Sequence, residues 1–269
     1  MNEETIGIIG LGFVGGAIKA AYDFTKPFIN VMCIDPAKGY LNTYKDIKDS
    51  SGVFVCVPSP MRDDGTCDTS ALIDVLENLK AINYQGVIIS KVTAPPAVYF
   101  ELQEAFPNLV HAPEFLTAAN AERDYASGTF SIIGGAVSAY INEAERIIKI
   151  GQSRVTSVAK CTIQEAALSK YVINSFLATK VAFMNEIYQL AQASNCNYSK
   201  VSHMVALDER IGSSHMRVPG PDGSFGFGGA CFPKDTAALL KYAESIGVSL
   251  NILDSAVKKN TLLRLTEPK

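Results

Sequence analysis

The sequence predicts an α/β protein: a Rossmann-type doubly wound parallel sheet, followed by an all-helical domain with a long central helix. Three observations carry this. Short apolar runs alternate with helical stretches through the first 160 residues, the pattern of βαβ units. The first run leads straight into the glycine turn Gly10-Leu11-Gly12-Phe13-Val14-Gly15. From Thr162 to about Asn195 the chain holds neither glycine nor proline. The expected domains are residues 1–160 and 161–269.

Taken in order, the first strand covers residues 6–9, and a helix continues from Ala17 to Phe24. Strand, glycine turn and helix in that order form the dinucleotide fingerprint. Gly10 allows the tight turn, Gly12 lets a pyrophosphate approach the backbone, and Gly15 lets helix and strand pack closely. The helix start offers unpaired N–H groups and a partial positive charge to phosphates. A second run, Phe28 to Ile34, ends in Asp35, twenty residues after Gly15. A carboxylate there accepts the adenosine ribose hydroxyls and repels a 2′-phosphate, so NAD is expected rather than NADP.

Further strands are expected at 53–57, 87–90, 109–111 and 130–134, with helices at 69–81, 96–106 and 138–150. Ligands of such sheets sit beyond the carboxyl ends of the strands. Three segments fall there: Val57-Pro58-Ser59-Pro60, Lys91-Val92-Thr93-Ala94-Pro95-Pro96 and Ala112-Pro113-Glu114-Phe115-Leu116. Ser59, Thr93 and Glu114 are expected to line one crevice.

In the second half, Thr162 and Glu165 have the spacing of a capping box. A helix of ~33 residues would be ~50 Å long, more than a small domain needs, so packing against a partner subunit is expected. Lys170 and Asn174 lie one turn apart on one face. Apolar neighbours on both sides favour their partial burial over a solvated pair, and a buried lysine beside an amide suits oxyanion stabilisation. Helices are expected at 199–207, 235–246 and 250–264, with a loop from Gly212 to Gly229. That loop leads into Gly228-Gly229-Ala230-Cys231-Phe232-Pro233-Lys234-Asp235. A thiol after glycines, with a cation and a carboxylate close behind, is what covalent catalysis at sulfur needs; the other reading is a small core residue.

Composition sets limits. Hydrophobic residues make up 48% and charged residues 19% of the chain, as in a packed globular protein. A net charge of -3 argues against general affinity for nucleic acid or anionic membrane. No apolar run reaches membrane-spanning length, and the polar, acidic start does not read as a signal peptide. The six cysteines form no C-x-x-C pair or metal spacing. A soluble, cytoplasmic protein without a metal is expected.

Together these motifs resemble the UDP-glucose/GDP-mannose dehydrogenase family along nearly the whole chain. They are the glycine fingerprint, V-P-S, K-V-T-A-P, P-E-F-L, K-Y-x-x-N, D-E-R-I-G and F-G-F-G-G-A-C-F-P-K-D. The resemblance implies oxidation of the C6 alcohol of a nucleotide sugar to a carboxylate with two NAD. Cys231 would then form a thiohemiacetal and a thioester. Glu114 would act in hydrolysis with Thr93 holding water, Lys170 and Asn174 would stabilise the oxyanion, and Asp235 would orient Lys170 or a water. Ser59, Thr93 and Lys234 match cofactor contacts, as do Gly10, Gly12, Phe13, Val14, Gly15 and Asp35. Glu114, Phe115, Leu116, Lys170, Asn174 and Gly228 match substrate contacts, and Arg210 matches an arginine reaching across a homodimer interface.

The chain departs from the family pattern in several places. Ala118 stands where the family commonly has a second glutamate, the loop Met216–Gly223 is longer than usual, and K-V-T-A-P-P replaces K-S-T-V-P-x-G. The family's third, nucleotide-gripping domain is not expected here: the nucleotide surface is then made by the long loop and the partner subunit, or the substrate is held weakly, or a separate chain supplies the grip. The other readings are a non-catalytic NAD or nucleotide-sugar binding subunit, and a 6-phosphogluconate or β-hydroxyacid dehydrogenase-like enzyme.

Overall fold

The computed structural model describes residues 4–24, 29–117 and 120–266. Phe28 and Ala118 therefore lie outside the described residues. The chain divides into two compact units. One holds the residues up to Pro60 together with Cys67–Lys170; the other holds Met61–Thr66 together with the residues from Tyr171 onward.

The first unit is built on β1 (Glu4–Ile9), α1 (Phe13–Phe24), β2 (Ile29–Asp35), β3 (Tyr40–Leu41) and β4 (Gly52–Val55). It continues through α2 (Ser70–Ala81), β5 (Val87–Ser90), α3 (Pro96–Ala105), β6 (Leu109–His111) and α4 (Ala121–Ser127). β7 (Phe130–Gly135), α5 (Ser138–Gly151) and β8 (Ser157–Cys161) close it. The strand order is β3-β2-β1-β4-β5-β6-β7-β8. The sheet reverses outward from β1, so a crevice opens where the carboxyl ends of β1 and β4 diverge.

The doubly wound, mainly parallel sheet expected from the sequence is present, with two reversals in it. β2, β1, β4, β5 and β6 run parallel, but β3 is antiparallel to β2 and β7 is antiparallel to β6. The short α4 precedes β7, which starts at the end where β6 stops and runs back along it. A reversed strand needs no return crossover. The crossover α5 then makes β8 parallel to β7.

β4 and β5 are buried at every residue, which is why they read as unbroken apolar runs. Side chains alternate between the two faces. Ile8 and Phe54 pack on one side with Ile18, Tyr22 and Ile147. Ile9, Val53 and Val55 pack on the other with Leu72, Leu76 and Tyr99.

α6 (Ile163–Ala193) is one helix of 31 residues that starts in the first unit and enters the second at Tyr171. Its capping box forms: the Thr162 N–H donates to Glu165 at 2.7 Å, and the Glu165 N–H donates to the Thr162 hydroxyl at 3.3 Å. The second unit adds α7 (Tyr198–Ala206), α8 (Phe232–Ser245) and α9 (Asn251–Arg264). Ala178 and Ala182 of α6 pack with Phe227 and Ala256; Met184 and Ala191 pack with Tyr198 and Met216. α8 starts three residues earlier than expected, because Pro233 sits in its first turn, where a missing N–H costs nothing. Asn260 anchors the preceding loop, accepting from the Phe227 N–H at 2.6 Å and donating to the Phe227 carbonyl at 3.0 Å.

Candidate active site

At the end of β1 the backbone turns through Gly10, whose φ is +86°. A Cβ on Gly15 would lie 1.9 Å from the Gly10 carbonyl oxygen, whereas one on Gly12 would meet nothing within 4 Å. Gly15 thus seals helix against strand, while open space faces Gly12. The first helical bond of α1 runs from the Gly16 N–H to the Gly12 carbonyl at 2.9 Å. The amides of Phe13, Val14 and Gly15 therefore belong to the unsatisfied first turn of the helix. Asp35 ends β2 and accepts the Leu11 N–H on Oδ2 at 2.8 Å. This open, donor-lined turn fits a dinucleotide pyrophosphate. Sequence reasoning missed Lys38, whose ammonium donates to the Leu11 carbonyl at 2.6 Å and braces the same turn.

The three carboxyl-end segments meet in part. The buried Cys67 thiol donates to the carbonyls of both Ser59 and Thr93, at 3.8 and 3.3 Å, tying those two loops together. Glu114 joins a separate cluster. Its Oε2 accepts the Leu116 N–H at 2.7 Å. Lys170 Nζ donates to the Glu114 carbonyl at 2.5 Å and to Oε1 at 3.2 Å. The Lys170 ammonium also lies 5.2 Å from the centre of the Phe115 ring. Beside Glu114 opens a cleft of about 90 Å³ whose lining includes Lys91, Phe115, Leu116, Tyr125 and Gln152. Burial lowers the Lys91 ammonium to about 8 and the His111 imidazole to about 3. Sequence reasoning assigned neither residue a role. A lysine two positions after the apolar run Val87-Ile88-Ile89 was the available signal.

In the second unit, Cys231 is exposed and stands at the N-cap of α8. The helix start places partial positive charge at the thiol, which favours the thiolate. Exposure removes the alternative of a small core residue. Asp235, only 1% exposed, accepts from Asn174 Nδ2 at 2.5 Å and from Lys234 Nζ at 2.6 Å. Its two oxygens thus hold Asn174 and Lys234, whereas the recorded partner of Lys170 is Glu114. Lys170 and Asn174 are both buried, as their shared face suggested, yet they serve different networks. Gly228 carries no Cβ where one would lie 2.4 Å from Arg264 Nη2. Arg210 pairs with Asp208 at 2.6 Å, with 90% of its side chain exposed.

Among the described residues, no group of three or more His, Cys, Asp or Glu could hold a metal ion, and no helix is long and apolar enough to cross a membrane. Fold and clusters together define a dinucleotide-binding α/β protein whose helical part presents a cysteine at a helix start. The chain belongs to the UDP-glucose/GDP-mannose dehydrogenase family. Residues 38–152 match its NAD binding domain and residues 164–262 its central domain. The glycine turn lies upstream of both matched stretches.

UDP-glucose 6-dehydrogenase of Rickettsia prowazekii is 32% identical over 237 residues, which is 83% of this chain and 52% of that protein. UDP-glucose 6-dehydrogenase TuaD of Bacillus subtilis is 31% identical, over 81% of this chain and 48% of that protein. The chain thus spans about half the length of the curated relatives it matches. The same fold occurs in a UDP-glucose dehydrogenase from Pyrobaculum islandicum, with a TM-score of 0.81, 22% identity, and 97% of this chain and 68% of that chain covered. It also occurs in a 3-hydroxyisobutyrate dehydrogenase from Mycobacterium tuberculosis, with a TM-score of 0.74, 14% identity, and 98% and 96% covered.

Proposed function

We propose that this chain oxidises the C6 alcohol of a nucleotide sugar, UDP-glucose first among them, to the uronic acid. The observation that carries this reading is the exposed Cys231 at the start of α8, backed by the buried Asn174–Asp235 pair and the Lys234 ammonium bound to it. Family membership supports it, as does the naming of curated relatives as UDP-glucose 6-dehydrogenases.

Gly10, Gly12, Phe13, Val14, Gly15 and Asp35 would hold NAD, with Ser59, Thr93 and Lys234 as further contacts. NAD, when bound, accepts a hydride in each of two successive oxidations. The Cys231 thiolate adds to the aldehyde carbon to give a thiohemiacetal, which the second oxidation converts to a thioester. Lys170 and Asn174 offer N–H donors to the developing oxyanion. Glu114 and Thr93 act on the water that releases the acid, and Asp235 fixes Asn174. Phe115, Leu116 and Gly228 contact the substrate.

We further infer a homodimer. Leu168, Val172, Phe176, Phe183 and Leu190 form one apolar stripe along α6, each between 42 and 68% exposed. Such a stripe on a long helix favours a second copy. Arg210 would then reach the nucleotide sugar of the partner subunit.

The test is stoichiometric. Purified protein with NAD+ and UDP-glucose is expected to form two NADH per sugar, and Cys231→Ala to form no acid. Absence of NADH with UDP-glucose, GDP-mannose and UDP-N-acetylmannosamine alike would sink the reading.

A further inference from the structure

Three side chains from two helices hold the stretch that runs up to Cys231, all of them within the second unit. The buried Asn185 of α6 accepts the Gly226 N–H at 3.1 Å. Asn260 of α9 engages both polar backbone groups of Phe227. Arg264, one turn further along α9, donates from Nη1 to the Asp222 carboxylate at 2.7 Å and to the Phe225 carbonyl at 3.4 Å. Its Nη2 lies over Gly228, where a Cβ would collide with it. A Cβ on Gly226 would collide in the same way with Asn260 Oδ1.

The spacing explains this match. Residues four apart on a helix lie about 6 Å apart along its axis, and two residues of stretched chain cover about 6–7 Å. Asn260 and Arg264 therefore sit over glycines two positions apart. The neighbouring aromatic residues pack elsewhere: the Phe225 ring lies 5.5 Å from that of Tyr188, and Phe227 packs with Ala178, Ala182 and Ala256. Of the three holding side chains, Arg264 is the one that also ties the far side of the loop, at Asp222, to the glycine run. The pair is 33 and 45% exposed. An ion pair so exposed adds little to stability, so its place ahead of the thiol calls for another account. Three residues past Gly228 the chain enters α8 at Cys231. A sulfur displaced by about 1 Å from its attacking position loses about 100-fold in rate.

We propose that Arg264 is a positioning residue: by clamping Asp222 and Phe225 over Gly228 it fixes the stretch that sets Cys231 at the start of α8. Its part in capturing the aldehyde rests on the function proposed above. In that step the thiolate forms a C–S bond to the carbonyl carbon, and the carbonyl oxygen takes a proton from solvent. No electrons pass to NAD until the thiohemiacetal so formed is oxidised.

Two readouts on the full chain need no turnover: deuterium exchange of the 225–231 amides, and alkylation of Cys231 by iodoacetamide, resolved from the other cysteines by peptide mapping. In R264A exchange is expected to quicken by at least about 10-fold. Alkylation at neutral pH is expected to slow by about 2–5-fold, as the thiol leaves the helix start. R264K keeps the charge but has no fork for two acceptors, and follows R264A. D222N gives the sharper outcome. It removes a negative charge, so an effect of charge alone would speed alkylation, whereas loss of the clamp slows it. G228A displaces the guanidinium and is expected to match R264A, with the double variant no worse than either. With NAD+ and UDP-glucose, R264A is expected to lose about 10–100-fold in kcat. It also releases aldehyde, trapped by semicarbazide, and forms fewer than two NADH per sugar.

Wild-type exchange and alkylation in folded R264A and D222N overturn the clamp. So does faster alkylation in D222N, or effects of G228A and R264A that multiply. If R264A does not fold, D222N in the exposed loop decides. Absence of NADH from the wild type sinks the functional reading instead, while exchange and alkylation still decide the clamp.

Discussion

Asp235 shows how a single carboxylate holds one catalytic candidate and one candidate cofactor contact. Asn174 lies 61 positions before it and Lys234 is adjacent, and both donate to its oxygens inside the second unit. Asp235→Ala leaves the buried Asn174 amide without its acceptor, so it is expected to cost about 1–3 kcal/mol, read as a lower Tm by calorimetry. His111 makes a second residue-scale case. It is 1% exposed, stacks on Tyr99 with centroids 4.3 Å apart, and has its Nδ1 3.1 Å from the Ser90 carbonyl. Burial holds its pKa at about 3 against 6.5 when free. Between those values the unfolded chain binds more protons, so stability falls as pH drops below about 6.5. The slope of Tm against pH from 6.5 to 4 is expected to flatten in His111→Gln. The sequence showed that Lys170 and Asn174 share a helix face, because helical spacing is local. It did not show their partners, which lie 56 and 61 positions away; periodicity carries no information about such distances.

Among elements, the legible ones were those with a strong local signal. β5 and β6 fall where the apolar runs place them, and α6 follows from a long stretch without breakers. β3 has two residues, and α4 has seven. β8 is an edge strand whose residues are all at least partly exposed. None of these three repeats a period often enough to be read. The turn into α1 gives a sharp test. In Gly15→Ala the new Cβ meets backbone oxygen at 1.9 Å, so NAD binding measured by calorimetry is expected to be lost. The outer face of α6 gives another. Phe176 is 68% exposed, and Phe176→Glu places a charge in the middle of the apolar stripe. If that stripe joins two copies, sedimentation velocity shows the wild type as a dimer and the variant as a monomer.

For the whole molecule, the α/β class and the helical second half were readable because strand and helix periods differ so clearly. The reversed strands were not, since strand direction depends on where the intervening chain returns rather than on the strand's own residues. Cofactor choice belongs to this scale too, because it rests on the Asp35 carboxylate closing the end of β2 against the Leu11 amide. NAD is expected to bind more tightly than NADP, and Asp35→Ala to narrow that ratio by about 10-fold, the equivalent of roughly 1.4 kcal/mol.

The short excursion Met61–Thr66 groups with the later helices although the residues on either side of it belong to the first unit. A Cβ on Gly65 would come within 3.8 Å of Lys241 and Ala237 of α8. The two units therefore cannot be traded between relatives as cassettes by a single recombination point. A cut at Lys170 strands six residues on the wrong fragment, and an ancestral swap of the helical part alone would have had to rebuild that loop afterwards.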